Sequence, residues 1–512
     1  MAAPPTAAPE DGLAFSSAQG RWVLTATVLG SGIAFLDSTV VNVALPHIGA
    51  DLDAGVGGLQ WVLNGYLLAV SSLILLGGSL GDRFGRKRLF QLGVVIFAAA
   101  SLLCAVALTT PMLVVARVLQ GVGGALLTPG SLAILEASFR PEDRPRAIGA
   151  WSGLSGVASA IGPFVGGWLV DAASWRWIFL INLPLSLFVV VAAARHVPES
   201  FDPDAPRQVD GWGALLVAGG LGGLSWGLIA AGEQGWGSVG VWGSLLAGAA
   251  SLVAFVVVER RRAHPMLPPT IFASAQFRAA NLVTAAVYAA LGGVFFLLVV
   301  QLQTVLGYSA IEAGAASLPI TILMLALSER SGALAVRIGP RLQMTVGPLL
   351  VAVAALLMTR IDAGAGYVTH VLPAVVVMGL GLACAVAPLT ATALSSVADR
   401  HAGVASGVNT TVARAAQLAA VAALPLAAGI TGSAYLDPGE FADGFGVAMV
   451  ITAGLAALGG LVAAVGIRNP PAPEVVLAPA ATGWFCGAEG TPLDTCPGSS
   501  AGVGAGPGAR TA

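Results

Sequence analysis

Asp37 and Arg117 are the residues of this 512-residue chain whose types and positions point most directly to chemistry. Asp37 sits within the uncharged stretch that follows Arg21, and Arg117 within the apolar run that starts near Met112. A carboxylate at membrane depth is costly and is by default a functional residue, since burial and nearby cations tune its hold on a proton. Asp37 is eight residues from Leu45, where its run ends, and Arg117 is five residues from Met112. At about 1.5 Å per residue, both lie roughly 8–12 Å below the same boundary. The two side chains can meet as a proton-exchanging pair, or as a static ion pair tying two helices together. Gln120, Gly121 and Gly124 follow Arg117 at helical spacings and share its face.

A second charged feature is GSLGDRFGRKR, 78–88. Asp82, Arg83, Arg86, Lys87 and Arg88 stand between two uncharged runs. A third is a row of small residues, Gly149, Gly153, Gly156, Ala160, Pro163 and Gly167, on one face of a helix, where it allows close packing. Arg414 lies deep in a late apolar run, about 16 Å from its inner boundary, with no carboxylate at its depth expected in the second half. Asn42, Asn64, Tyr66, Gln120, Gln301, Asn409, Arg414 and Gln417 are the polar residues expected to face a solute cavity.

The elements that must position these residues are membrane spans. The chain is 56% hydrophobic and 10% charged, too few charges to solvate a soluble fold of this length. A net charge of −2 gives no footing for nucleic acid. Fourteen apolar runs are long enough to cross a bilayer. With the N-terminus in the cytoplasm, twenty of the 24 Lys and Arg residues fall inside and two (Arg176 and Arg360) outside. Both termini are then cytoplasmic. Residues 1–21 and 469–512 read as disordered tails. The cysteines show no metal-ligand spacing, and Cys486 and Cys496 lie in the tail. The five histidines are in loops or at span ends on both sides, unlike a membrane-embedded enzyme, and no GxxxxGK[ST] loop is present.

The chain also repeats itself. Gly78, Leu80, Arg83 and Gly85 align with Gly332, Leu334, Arg337 and Gly339 at an offset of 254, and Asp143–Arg144 with Asp399–Arg400 at 256. This divides the chain into a six-helix half (22–194), two inserted helices with their flanking loops (195–262), and a second six-helix half (263–468). Internal repeats of this kind mark secondary transporters.

The stretch 78–88 resembles the loop signature of the major facilitator superfamily. LDSTVVNVALP (36–46), RVLQGVGGALLTPG (117–130) and GAWSGLSGVASAIGPFVGG (149–167) resemble motifs of its fourteen-helix drug:proton antiporter branch, with Ala158 where the last motif usually has Gly. SGVNTTVARAAQ (406–417) resembles the antibiotic-resistance-like members. The resemblance implies an all-α polytopic fold of two pseudo-symmetric halves plus two inserted helices. It implies efflux of small organic molecules driven by the proton gradient, with no cofactor and no metal, from a monomer in the bacterial cytoplasmic membrane. Asp37 and Arg117 then couple protons. Gly78, Gly81, Asp82, Arg83, Gly85, Arg86 and Lys87 form a conformational-switch loop. Gly149, Gly162, Pro163, Gly166 and Gly167 form an antiporter seam sealing the inner ends of the cavity. The alternatives are an importer or symporter of the same fold and a membrane sensor that does not transport.

Overall fold

The computed structural model describes residues 12–201, 210–262, 267, 269–397, 402–431 and 437–469. Among these, fourteen helices are long and apolar enough to span a membrane. They are α1 Ala18–Leu52, α2 Val56–Phe84, α3 Arg86–Ala105, α4 Thr110–Ser138, α5 Arg146–Ala172, α6 Trp177–His196, α7 Gly211–Gln234, α8 Val239–Arg261, α9 Ala275–Val305, α10 Ala310–Ile338, α11 Pro340–Met358, α12 Tyr367–Ser395, α13 Val404–Ala427 and α14 Pro438–Gly466. Helices satisfy their own backbone groups, which is what lets so apolar a chain cross lipid. Leu92, Val95 and Leu102 of α3, and Val450, Leu461 and Val465 of α14, are exposed on the outside of the bundle, as lipid-facing residues are.

Close packing relies on glycine. A side chain at Gly77 would collide with the Ala125 carbonyl, so α2 and α4 touch backbone to backbone there. The neighbouring Gly78, singled out from the repeat, has only Pro129 near it, 3.7 Å from where its Cβ would be. Helix phase, one residue on, decides which glycine carries the contact.

The inserted pair packs on itself, where a Cβ on Gly248 would lie 2.7 Å from the Leu224 nitrogen. Helix α7 also touches a helix from each half. Trp226 meets Trp61 of α2 with ring centroids 5.8 Å apart, and Gly232 lies beside Leu426 of α13.

The start of the chain is more ordered than expected. Leu13 exchanges backbone hydrogen bonds with Ser138 (2.7 Å) and Arg140 (3.1 Å), and Phe15 N–H donates to Asp143 at 2.9 Å. Residues 12–21 are therefore built onto the end of α4 rather than disordered. Leu13 and Phe15 are apolar anchors within a polar-looking tail. Residues 470–512, with Cys486 and Cys496, and the Asp399–Arg400 part of the repeat lie outside the described residues.

Candidate functional site

Asp37 and Arg117 meet. Arg117 Nη1 donates to Asp37 Oδ2 at 2.5 Å, with Asp37 fully buried and Arg117 1% exposed. Gln120, one turn on, bridges them. Its Oε1 accepts from Arg117 Nη1 at 2.6 Å and its Nε2 donates to Asp37 Oδ1 at 2.8 Å. Arg117 Nε donates to the Val62 carbonyl at 3.1 Å, and its guanidinium lies 4.5 Å from the Tyr66 ring centroid. Such stacking desolvates the cation without leaving it unpaired.

Two members of this cluster escaped the sequence reading. Asn182 of α6 donates to Asp37 Oδ1 at 3.1 Å, and Ser101 of α3 accepts from Gln120 at 2.8 Å and from Asn182 at 3.3 Å. The depth arithmetic applied to Asp37 finds both, since each is four or five residues from the same end of its helix. A lone Asn or Ser in an apolar run otherwise gives no such signal. The carboxylate thus takes two neutral donors on one oxygen and the guanidinium on the other. Asn182 Oδ1 has no hydrogen-bond partner.

The α5 motif splits into two faces. Side chains on Gly162 and Gly166 would collide with Thr39 and Val40 of α1, so these glycines pack within their own half. Gly167 lies against the Ala310 carbonyl, and Gly314 of α10 against the Pro163 carbonyl, so this face joins the two halves. Asp171 adds a lock that was not anticipated. Its two oxygens accept the Ala310 (3.1 Å) and Ile311 (2.8 Å) N–H groups at the start of α10, where the helix dipole favours an anion. Gln60 donates to Val421 O at 2.7 Å and Gln303 to Val43 O at 2.9 Å at the same end of the bundle. Toward the other end the face opens. Nothing lies within 4 Å of a Cβ placed on Gly149, Gly153 or Gly156. The motif was expected to seal the inner ends of the cavity; in this structure its Pro163–Gly167 end makes the contact and its Gly149 end is open.

The switch segment is mostly helix. Gly78, Gly81, Asp82 and Arg83 belong to α2, and only Gly85 needs glycine's freedom, at φ +108°. Asp82 holds Arg86 through Nε and Nη2, both at 2.8 Å. Lys87 N–H donates to Glu199 at 3.1 Å and Lys87 Nζ to the Ala194 carbonyl at 3.0 Å. The second half repeats this. Gly339 has φ +83°, Arg341 N–H donates to Asn469 at 3.0 Å and Arg341 Nε to the Ala464 carbonyl at 2.8 Å. Lys87 and Arg341 keep the offset of 254 read from the sequence.

A model of the Major Facilitator Superfamily matches residues 27–421. This chain belongs to that superfamily. It is 36% identical to the tetracenomycin C resistance and export protein of Streptomyces glaucescens over 77% of this chain and 73% of that one. It is 38% identical to the puromycin resistance protein pur8 of Streptomyces alboniger over 76% and 77%. Among solved structures, a peptide transporter POT in complex with sulfate aligns with a TM-score of 0.65 at 16% identity, covering 89% of this chain and 96% of that one. A bacterial homolog of the human lysosomal transporter Spinster, inward-facing and unoccupied, aligns at 0.61 and 17% over 89% and 100%. The fold is that of a major facilitator transporter, a multi-pass membrane protein of a family that moves small molecules.

In this major facilitator chain the expected cavity residues divide. Gln120 belongs to the Asp37 cluster. Asn64 and Gln301 are fully buried and Asn409 is 7% exposed. Gln301 donates to the Ile361 carbonyl at 2.6 Å, and Asn409 to Thr284 at 2.7 Å, tying α13 to α9. Tyr66 is buried, its hydroxyl donating to Ala34 O at 3.3 Å. Asn42, Arg414 and Gln417 are half-buried. Arg414 donates to Gln417 at 3.4 Å and has no carboxylate within ion-pair distance among the described residues. One expected depth changes. Glu329 and Arg330 lie nine and eight residues inside α10, because that helix continues to Ile338, so Glu329 comes to about the depth of Arg414, ten residues inside α13, where no acid was expected.

Proposed function

We propose that this chain is a proton-coupled exporter of small organic, antibiotic-like molecules. It works by alternating access as a monomer in the bacterial cytoplasmic membrane, with both termini in the cytoplasm. The observation that carries the reading is the geometry at Asp37 Oδ2. That oxygen is occupied by the Arg117 guanidinium at 2.5 Å. A proton placed there puts a hydrogen against a cation that has only hydrogens to offer, so proton and guanidinium compete for one site. Binding of the proton frees Arg117. A rotation of the Asn182 amide then offers the new O–H an acceptor, the Oδ1 that now lacks a partner. The freed Arg117 stays anchored through Val62 and Tyr66, so protonation alters the charge offered to a solute. The export and resistance names of the relatives support a drug-like solute. With the cytoplasm at the Gly85 and Gly339 end, the sealed Pro163–Gly167 contact faces outside. The cycle draws on the proton gradient and calls for no bound cofactor.

The test is transport by purified protein in inverted vesicles, where a proton gradient of inward-acidic sign should drive accumulation of a tetracenomycin-like or puromycin-like probe. Accumulation without a gradient, or uptake in the opposite direction in intact cells, would reject the reading in favour of an importer. No movement with normal binding would indicate a sensor.

The charge of the solute follows from Arg414. A half-buried cation near mid-span without a carboxylate partner favours neutral or weakly acidic solutes over dications. Arg414→Gln is expected to lower resistance to acidic compounds by about tenfold, an order of magnitude per 1.4 kcal/mol of lost interaction. Resistance to divalent cationic antiseptics should be unchanged or raised. A mutant that keeps the wild-type preference for acidic compounds would remove Arg414 from the site.

A further inference from the structure

The two seams between the halves are α2 against α13 and α5 against α10, and the 254-residue repeat maps one onto the other. Leu75 of α2 corresponds to Glu329 of α10 at the offset of 254, and Gly407 of α13 to Trp151 of α5 at the offset of 256 that relates those two helices. In the first seam Leu75 already rests on Gly407, where an added methyl would collide with the leucine Cδ2. In the second seam Trp151 turns its indole N–H to Ser31 of α1 at 3.1 Å, Gly149 and Gly153 on either side of it are open, and Glu329 is exposed.

The rest of α10 points the same way. Gly314, which packs on α5, is followed at helical spacings by Leu318, Ile322, Leu325 and Glu329 on one stripe. Ile322 is 60% and Leu325 47% exposed. Extending the antiparallel pairing of Gly167 with Ala310 and Pro163 with Gly314 brings Glu329 to Ile148, next to Gly149. The repeat brings it to Trp151, within one turn. Both routes place a carboxylate at the level of the open Gly149 and Gly153, about 14 Å inside the end of α10. The apolar leucine that fills this position in one half is an acid in the other.

We propose that Glu329 is a second proton-binding site, one that gates closure of the α5/α10 seam. This rests on the alternating-access reading above. A glycine face offers no side-chain donor to a desolvated carboxylate, so the seam closes over Glu329 only when the group is neutral. A proton from water in the open cleft adds to one Glu329 oxygen, and it returns to that side when the seam reopens. The proton is therefore not carried across, and the site reports the pH on the cytoplasmic side. The surrounding cations are otherwise placed. Arg330 is adjacent in sequence and points about 100° away around the helix. Arg337 is two turns on. Arg146 of α5 stacks 4.4 Å over Phe15, Arg144 donates to the Phe139 carbonyl at 3.0 Å, and Arg341 of α11 is held by Ala464. Helix α12 brings no Asp, Glu, Lys, Arg or His within 372–395.

The experiment uses the full chain with spin labels at Glu142→Cys and Val336→Cys, Cys384, Cys486 and Cys496 being changed to Ser. Label distances are recorded from pH 8 to pH 5. In an Asp37→Asn background, which removes the first titrating site, the closed-to-open ratio should rise by up to tenfold per pH unit as pH falls. Glu329→Gln and Glu329→Leu in that background should be pH-independent and rich in the closed form at pH 8. An unchanged pH slope in both variants overturns the proposal. So does a loss of the closed form in Glu329→Gln, which would mean that an arginine such as Arg146, not a proton, neutralises the acid. Absence of any closed population in every protein at every pH would overturn the alternating-access reading itself.

Discussion

Asp37→Asn is expected to reduce gradient-driven efflux to background, a loss of at least a hundredfold, while the protein folds and binds its solute. Asparagine keeps an oxygen for the Gln120 and Asn182 donors, which sit at 2.8 and 3.1 Å. It cannot exchange a proton, so the competition between proton and guanidinium at Oδ2 ends and solute movement is no longer tied to a proton. Asp37→Ala should behave differently. It leaves Arg117, 1% exposed, without a counter-charge, and breaking a buried pair from one side costs about 3–5 kcal/mol. Thermal unfolding should then fall for Ala and much less for Asn. The measurement is proton release on solute addition by purified protein. Release of wild-type size from Asp37→Asn would exclude Asp37 as the coupling group.

Gly167→Val should stop transport by a different route, by preventing the Pro163–Gly167 end from sealing. Gly167 lies directly on the Ala310 carbonyl, and no side chain fits between them. Neighbouring Asp171 holds the first N–H groups of α10, so the seal cannot shift sideways without losing those bonds. The expected result is at least a tenfold fall in transport, with new reactivity of a cysteine at Tyr308 toward an impermeant thiol reagent added outside. Gly446→Ala on α14 is the control. Nothing lies within 4 Å of its added methyl, and alanine suits a helix interior better than glycine by about 0.5–1 kcal/mol. Equal loss in both variants would point to general damage rather than to the seal.

Much of this is legible in the sequence alone. Charge scarcity and run length determine a membrane bundle of fourteen helices, since lipid tolerates little else. Depth along a helix is also a one-dimensional quantity, so it brought Asp37 to Arg117, and helical spacing put Gln120 on the face of Arg117; the bond from Gln120 to Asp37 came from the structure. The offset of 254 read from Gly85 and Gly339 extends to Lys87 and Arg341, whose backbone N–H groups are held alike by Glu199 and Asn469. Rotation about each helix axis is what the linear chain leaves open, because it is set by neighbours from distant segments. It decided that Gly77 and not Gly78 meets α4, and that Asn64, Gln301 and Asn409 turn into the packing while Arg414 and Gln417 stay half-buried. Only the tertiary structure joined Ser101 and Asn182 to the carboxylate. It alone divided one glycine row into a sealed end at Gly167 and an open end at Gly149, because the contact depends on how the two halves sit together.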